Sequence, residues 1–297
     1  MGQPCYQILT ARSAVNRVEG MPFRWSLNPY RGCTHGCQYC YARVTHGYFD
    51  LGMGRDFEQV IFVKQNLPEL LRAELRRPSW RHEAIVIGTA TDPYQPAEGT
   101  FRITRRCLEA LADEANPCSV TTKGTLVVRD LDVLQQLSRD TTFGVHVSLI
   151  TLDPVLWPLI EPGTPPPFSR LRALERLRAA GIPASVFLAP ILPGLTDRPK
   201  HLEAVVRAAA EHGATGVWPG TLRLAPGVKE WFLGFLRRDF PELAASYERG
   251  YGHGANAPPA YRERVAQRVE AIKGQVAFQR APVAATPSRV GRQFTFL

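Results

Sequence analysis

Long apolar runs are absent from this sequence. No stretch approaches the roughly eighteen uninterrupted apolar residues of a membrane-spanning helix. The most apolar segment, Ala184 to Leu195, is broken by Pro190 and Pro193, so no membrane contact is expected. The opening residues, Met1-Gly2-Gln3-Pro4-Cys5-Tyr6, lack the basic-then-apolar layout of a secretory signal. They also lack the Ser or Thr at position 6 that myristoylation prefers, and a cytoplasmic location is the expectation. There is no low-complexity linker and no repeated motif, which excludes a solenoid or a repeat array. Cysteine is sparse, six in 297 residues, and Cys5, Cys107 and Cys118 are scattered without pairing logic. That pattern excludes a disulfide-stapled secreted scaffold.

The other three cysteines are concentrated in Cys33-Thr34-His35-Gly36-Cys37-Gln38-Tyr39-Cys40. Three thiolates from one loop can converge on a metal centre, yet they supply only three ligands. A structural zinc site wants four; it would recruit His35, His46 or Cys5 and make the chain a non-enzymatic zinc-binding module. A disulfide would leave one cysteine over. An iron–sulfur cube held by three cysteines keeps one iron open to something that is not protein. The surrounding chain favours the cube.

Short strand-like runs recur with helical periods between them. Trp25 to Asn28 leads into the cysteine loop, followed by Ala84 to Gly88, Ser119 to Thr122, Phe143 to Ile150, Ala184 to Ala189 and Gly216 to Pro219. Each is bounded by Gly, Pro or Asp. Helical periods are read at Thr104 to Ala115, around Leu171, Leu174 and Leu177 before a stop at Gly181, and at Lys200 to His212. Such βα alternation implies a parallel sheet. The fold class expected is α/β, a partial (β/α)6 TIM-like barrel over residues 1–225, with the cluster loop at 28–43. A helical C-terminal extension of the same domain, residues 226–280, is expected to cap the open side with helices near 228–238, 241–249 and 260–273. Residues 281–297 are expected to be a disordered tail.

The spacing of the three cysteines, with Tyr39 before the last, resembles the signature of the radical S-adenosylmethionine (radical SAM) enzymes. Further segments narrow the likeness to the branch related to spore photoproduct lyase. These are Arg17-Val18-Glu19-Gly20-Met21-Pro22, Asn28-Pro29-Tyr30-Arg31-Gly32-Cys33, Thr91-Asp92-Pro93-Tyr94-Gln95-Pro96, Leu192 to Asp197 and Leu222 to Gly227. The resemblance covers roughly residues 10 to 270. It implies a [4Fe–4S] cluster on Cys33, Cys37 and Cys40, with S-adenosyl-L-methionine chelating the open iron and yielding a 5′-deoxyadenosyl radical. It also implies a one-electron donor of the flavodoxin or ferredoxin type. By the same likeness, the cofactor-binding residues are Tyr39, Thr91 and Asp92 after the second strand, Lys123 after the third, Ser148 on the fourth and Arg170 beyond it. The plain readings beside these are an Asp-Pro turn for Asp92 and a serine satisfied within the barrel for Ser148.

The resemblance also has a gap. Spore photoproduct lyase carries a hydrogen-donating cysteine shortly after strand two, and Ile87 to Gly99 contains none. Cys107 and Cys118 read as buried structural thiols, and Cys5 sits near an end that could swing in. The substrate is left open between nucleic acid, as in lesion repair or modification, and a small metabolite or peptide. A basic balance, 36 Lys and Arg against 27 Asp and Glu for a net +9, permits phosphate-rich partners. From Arg262 onward seven cations and two anions leave +5.

Overall fold

Alternating β-branched runs and leucine-spaced stretches form one large sheet with helices banked on one face in the computed structural model, which describes residues 3–279. The strands are β1 (Cys5–Leu9), β2 (Val15–Arg17), β3 (Trp25–Leu27), β4 (Tyr30–Arg31), β5 (Val60–Lys64), β6 (Ile85–Ile87), β7 (Cys118–Thr122), β8 (Phe143–Ser148), β9 (Ala184–Ile191) and β10 (Val217–Thr221). Seven of them form a sheet in the order β10-β9-β8-β7-β6-β3-β2. Its first six members run parallel, and β2 is antiparallel to β3. All six strands expected from the sequence are present, in chain order across the sheet. The sheet is open, with β10 and β2 at its edges.

Parallel neighbours need long crossovers, and the helices Leu67–Leu75, Ile103–Asp113, Leu131–Asp140, Pro167–Ala179 and Pro199–Glu211 supply them. Pro167 and Pro199 open their helices at the first positions, where a missing N–H costs nothing. The expected stop at Gly181 is present: with φ +77° it lets Ile182 N–H reach the Leu177 carbonyl at 3.0 Å. Leu108, Leu134, Leu171, Leu174, Val205 and Val206 from these helices pack against Ile85, Val120, Val145, Val147, Val186 and Leu188 of the sheet. A β-branched residue fully buried this way contributes roughly 1.5–3 kcal/mol.

Four strands depart from the sequence reading. β2 edges the large sheet, and β1, β5 and β4 form a small second sheet, β1 parallel and β4 antiparallel to β5. Cys5, expected at an end able to swing in, is paired through β1 with Val60. The C-terminal extension also behaves differently from a single cap. Helices Val228–Asp239 and Pro241–Gly250 bring Phe232, Leu236 and Tyr247 into a second apolar core with Cys37, Tyr39, Ile160 and Leu192, over the loop end of the sheet. Helix Pro259–Lys273 joins the main core through Val265, Val269 and Ile272. The expected tail, residues 281–297, lies outside the described residues, and among the described residues no helix is long and apolar enough to cross a membrane.

Cys107 and Cys118 are fully buried on the helix side of the sheet, and burial pushes both thiols far above the ordinary range; Cys5 is exposed. Because the thiolate is the reactive form, iodoacetamide should alkylate Cys5 in the native protein. Cys107 and Cys118 should stay unmodified until denaturation, as read by peptide mass spectrometry.

Candidate functional site

The cysteine loop lies at the carboxyl ends of the parallel strands, where loops gather in βα folds. A loop that carries three thiols leaves backbone groups without helix or sheet partners, and the neighbouring elements supply them. Cys33 N–H donates to the Phe57 carbonyl at 2.9 Å, and Cys40 N–H donates to Cys37 at 3.2 Å. Arg43, wholly buried, does most of the rest. Its Nε donates to the Cys37 carbonyl at 3.0 Å, and its terminal nitrogens donate to Gly36 at 2.7 Å, Met53 at 2.8 Å and the Glu58 carboxylate at 2.6 Å. The guanidinium lies between the rings of Phe57 and Trp231, at 5.3 and 4.5 Å.

The loop after β6 fastens the other side. Asn28, just beyond β3, accepts from Ala90 N–H at 2.7 Å and donates to Thr89 Oγ1 at 3.0 Å. Thr91 Oγ1 donates to the Gly32 carbonyl at 2.6 Å. The Gln95 amide bridges this pair, donating to Gly32 and Thr91 and accepting from Thr34 N–H at 3.1 Å. Asp92 caps its own Asp-Pro turn by accepting from Tyr94 N–H at 2.9 Å. It also accepts from Thr122 Oγ1 at 2.6 Å and Lys123 N–H at 2.7 Å, and faces His35 Nδ1 at 3.3 Å. Burial alone would raise its carboxyl; His35 and these donors outweigh burial and hold it well below the usual carboxylate range.

A third wall comes from the segment after β8. Gly163 N–H donates to the His35 carbonyl and Gln38 N–H donates to Ile160, each at 3.0 Å. A Cβ on Gly163 would overlap the Thr34 carbonyl and sit 3.0 Å from His35 Cα, so only glycine permits this contact. Glu161, buried, accepts from the Tyr39 hydroxyl, pairs with Arg170 at 2.6 Å and lies 3.9 Å from Lys123 Nζ. Arg170 also donates to the Pro165 and Ser148 carbonyls, at 2.8 and 3.1 Å. Burial pulls the Lys123 pKa down, but Cys37, Glu161 and Asp92 nearby lift it above the ordinary lysine range.

The six residues tied by the sequence to cofactor binding thus gather around the three cysteines, in two groups. Thr91, Asp92, Tyr39 and Arg170 are hydrogen-bonded or ion-paired to protein partners. Lys123 Nζ stands over the Tyr39 ring at 5.6 Å, and Ser148 Oγ is buried with no hydrogen-bond partner. Tyr30 and Tyr94 are committed to buried networks through Glu98 and Asp130. His46, a possible zinc ligand from the sequence, binds the Val60 carbonyl with Nε2 at 2.9 Å and packs on Phe57. Sequence reading assigned no role to Arg43, Gln95, Glu161 or Gly163; Gln95 stood inside the quoted segment after the second strand and Gly163 inside a proline cluster, while Arg43 and Glu161 carried no local signal.

The donor set fits an iron–sulfur cluster. Burial pushes the Cys37 thiol up to about 12, with Lys123 opposing and Glu161 and Cys40 adding to the rise; Cys33 is raised by burial, Asp92 and its sister thiols. Buried thiols of this kind become thiolates by exchanging protons for metal. Among the described residues, no three His, Cys, Asp or Glu side chains are gathered around a single ion. A cluster that places each thiolate on its own iron does not require that.

Two substitutions test the framework. Arg43→Met should remove at least about 2 kcal/mol of stability by orphaning buried carbonyls. Gly163→Ala should remove about 1–3 kcal/mol through overpacking. Both are read from urea unfolding, and a midpoint unchanged from wild type in either contradicts the corresponding contact.

Comparison with known proteins agrees with this geometry. The Radical SAM superfamily profile matches residues 27–207. An uncharacterized protein of Mycobacterium tuberculosis is 44% identical over 261 residues, 87% of this chain and 77% of that one. A Pseudomonas phage M6 protein named radical SAM Nα-GlyT isomerase is 28% identical over 178 residues, 59% of this chain and 35% of its own. A mutant spore photoproduct lyase solved with AdoMet and dinucleoside spore photoproduct shares the fold, with a TM-score of 0.68 at 14% identity over 91% of this chain and 79% of that one. The family match sets aside a non-enzymatic zinc module: the chain shares its fold with spore photoproduct lyase, belongs to the radical SAM superfamily and is an enzyme of that class.

Proposed function

We propose that Cys33, Cys37 and Cys40 bind one [4Fe–4S] cluster, that SAM binds beside it, and that the enzyme abstracts hydrogen from an organic substrate. The observation that carries this reading is a loop with three thiols and no fourth, docked against the carboxyl ends of β3, β6, β7 and β8. When bound, the cluster supplies the electron that cleaves SAM to a 5′-deoxyadenosyl radical.

The chain's own residues hold and shield. Arg43 and Gln95 fix the backbone that carries the thiols. Lys123, whose ammonium is charged at neutral pH, faces the space beside Cys37 and suits the SAM carboxylate; Ser148 offers an unused hydroxyl on the same side. Thr91, Asp92, Tyr39 and Arg170 act on the cofactor by positioning, since their polar atoms are already engaged. Asp92 sets the Lys123 backbone, and Arg170 sets Glu161. The second apolar core excludes water from the thiols, and its packing of helices Val228–Asp239 and Pro241–Gly250 on Cys37, Tyr39, Ile160 and Leu192 supports reading the C-terminal extension as part of the same domain. A flavodoxin- or ferredoxin-type donor and a reducing cytoplasmic setting complete the proposal, consistent with the six unpaired cysteines.

A second reading, nucleic acid as substrate, is favoured by the +9 charge. A steep fall in oligonucleotide affinity with salt would support it, and affinity independent of salt would not.

Anaerobically reconstituted protein should carry about four irons with matching sulfide. Stoichiometric zinc without sulfide would overturn the proposal. Lys123→Ala should weaken SAM binding by about 1–3 kcal/mol in calorimetry while leaving iron content intact. An unchanged affinity removes Lys123 from the cofactor site.

A further inference from the structure

The cysteine loop has an outer surface as well as the side that faces the strand ends. Cys33 and Cys37 are nearly fully buried, so an electron arriving from solvent has to cross protein. The second apolar core covers Cys37 and Tyr39. The strand ends are taken up by Asp92, Lys123, Glu161 and their partners. On the outer side, Thr34, bonded directly to Cys33, is only half-buried. It forms one wall of a surface cleft of about 320 Å³, completed by Pro4, Arg55, Gln59, Pro96 and Gly163. Here the solvent comes within a few covalent bonds of the Cys33 thiol.

The walls of the cleft are tied to the loop they border. Cys33 N–H donates to the Phe57 carbonyl at 2.9 Å, within helix Arg55–Gln59, and Thr34 N–H donates to Gln95, beside Pro96, at 3.1 Å. Tyr6 packs edge-on against Phe101 at 5.2 Å, which joins β1 to helix Ala97–Phe101. The Thr34 hydroxyl is buried with no hydrogen-bond partner, a polar group that water or a partner molecule can meet. The charge of the rim is one-sided. Arg55 and Arg102 are exposed, and neither has an ion pair among the described residues. Arg55 opens its helix on one rim. Arg102 follows helix Ala97–Phe101 on the other, roughly 9 Å beyond Pro96 at 1.5 Å per residue. Of the carboxylates nearby, Glu58 is offset by Arg43 at 2.6 Å, and Asp56 accepts from Gly52 N–H at 2.8 Å. The rim is therefore net positive.

We propose that this cleft is the docking surface of an acidic one-electron carrier protein, with Arg55 and Arg102 meeting carboxylates of the carrier and Cys33 as the point of electron entry. The inference rests on the proposed cluster and locates where its electron arrives. At each encounter one electron passes: the carrier is oxidised by one, the cluster is reduced by one, and no bond is made or broken. Redox partners meet over small interfaces, and complementary charge raises their encounter rate. A shallow cleft with a guanidinium on each rim suits such a partner. A small anion would instead need its cations converging within one cavity, and here they stand on opposite sides.

The test titrates an oxidised bacterial flavodoxin, an acidic carrier, into the anaerobically reconstituted protein and reads affinity by thermophoresis at low and high salt. Arg55→Glu and Arg102→Glu should each weaken binding about fivefold, and the wild-type affinity should fall more steeply with salt than that of the double variant. Arg139→Glu, the same charge change on helix Leu131–Asp140, should shift affinity less than about twofold. A second readout follows reduction of the cluster by its loss of absorbance. Reduced flavodoxin should deliver its electron about tenfold more slowly to the double variant, whereas dithionite, which needs no docking face, should reduce both proteins within about threefold of each other. The inference is overturned if flavodoxin does not bind, if the variants bind as wild type does, or if Arg139→Glu weakens binding as much as they do. It is equally overturned if dithionite reduction slows in parallel, or if a single-stranded oligonucleotide displaces flavodoxin and loses affinity in the same variants. Absence of iron and sulfide after reconstitution would instead refute the cluster reading, and the flavodoxin titration, which needs no cluster, would still decide the docking face.

Discussion

Backbone satisfaction governs the cysteine loop. Three thiols within eight residues force the chain out of helix and sheet geometry, and each carbonyl so exposed costs free energy when buried without a donor. Arg43 resolves this from one side with a rigid fork of donors and the aromatic slabs of Phe57 and Trp231. Gln95 resolves it from the other. Because Trp231 comes from the C-terminal helices and Gln95 from the loop after β6, the thiols keep their arrangement only if distant parts of the chain have folded around them.

The same dependence extends to charge. Glu161 is buried among Tyr39, Arg170 and Lys123, and Asp92 among His35, Thr122 and the Lys123 backbone. Each buried carboxylate is tolerable because it is paired and hydrogen-bonded. Together they bring Lys123 to the cysteines with its ammonium retained. Cys107 and Cys118 lie in the main core on the helix-covered side of the sheet, apart from the cysteine loop.

Much of this was legible in the sequence. The six parallel strands and their helices announce themselves through local period and through the stop at Gly181. The three cysteines and Lys123 stand out because they follow predicted strands. β1, β4 and β5 were hidden because their pairing is non-local: Cys5 meets Val60, and Tyr30 meets Val63. Arg43 and Glu161 were hidden for a related reason. An arginine among many arginines, or a glutamate before a proline, gains its role only from carbonyls and side chains that the fold brings to it. The aromatic Tyr39 was noticed, but its partner Glu161 lies far along the chain.

The central claim is that three cysteines leave a cluster with one open position for SAM. Electron paramagnetic resonance of the dithionite-reduced, reconstituted protein tests it most directly. The account predicts a reduced [4Fe–4S] signal whose g values shift when SAM is added, with the shift lost in Cys37→Ala along with the cluster. A reduced cluster signal that SAM leaves unchanged at saturating concentration would contradict it.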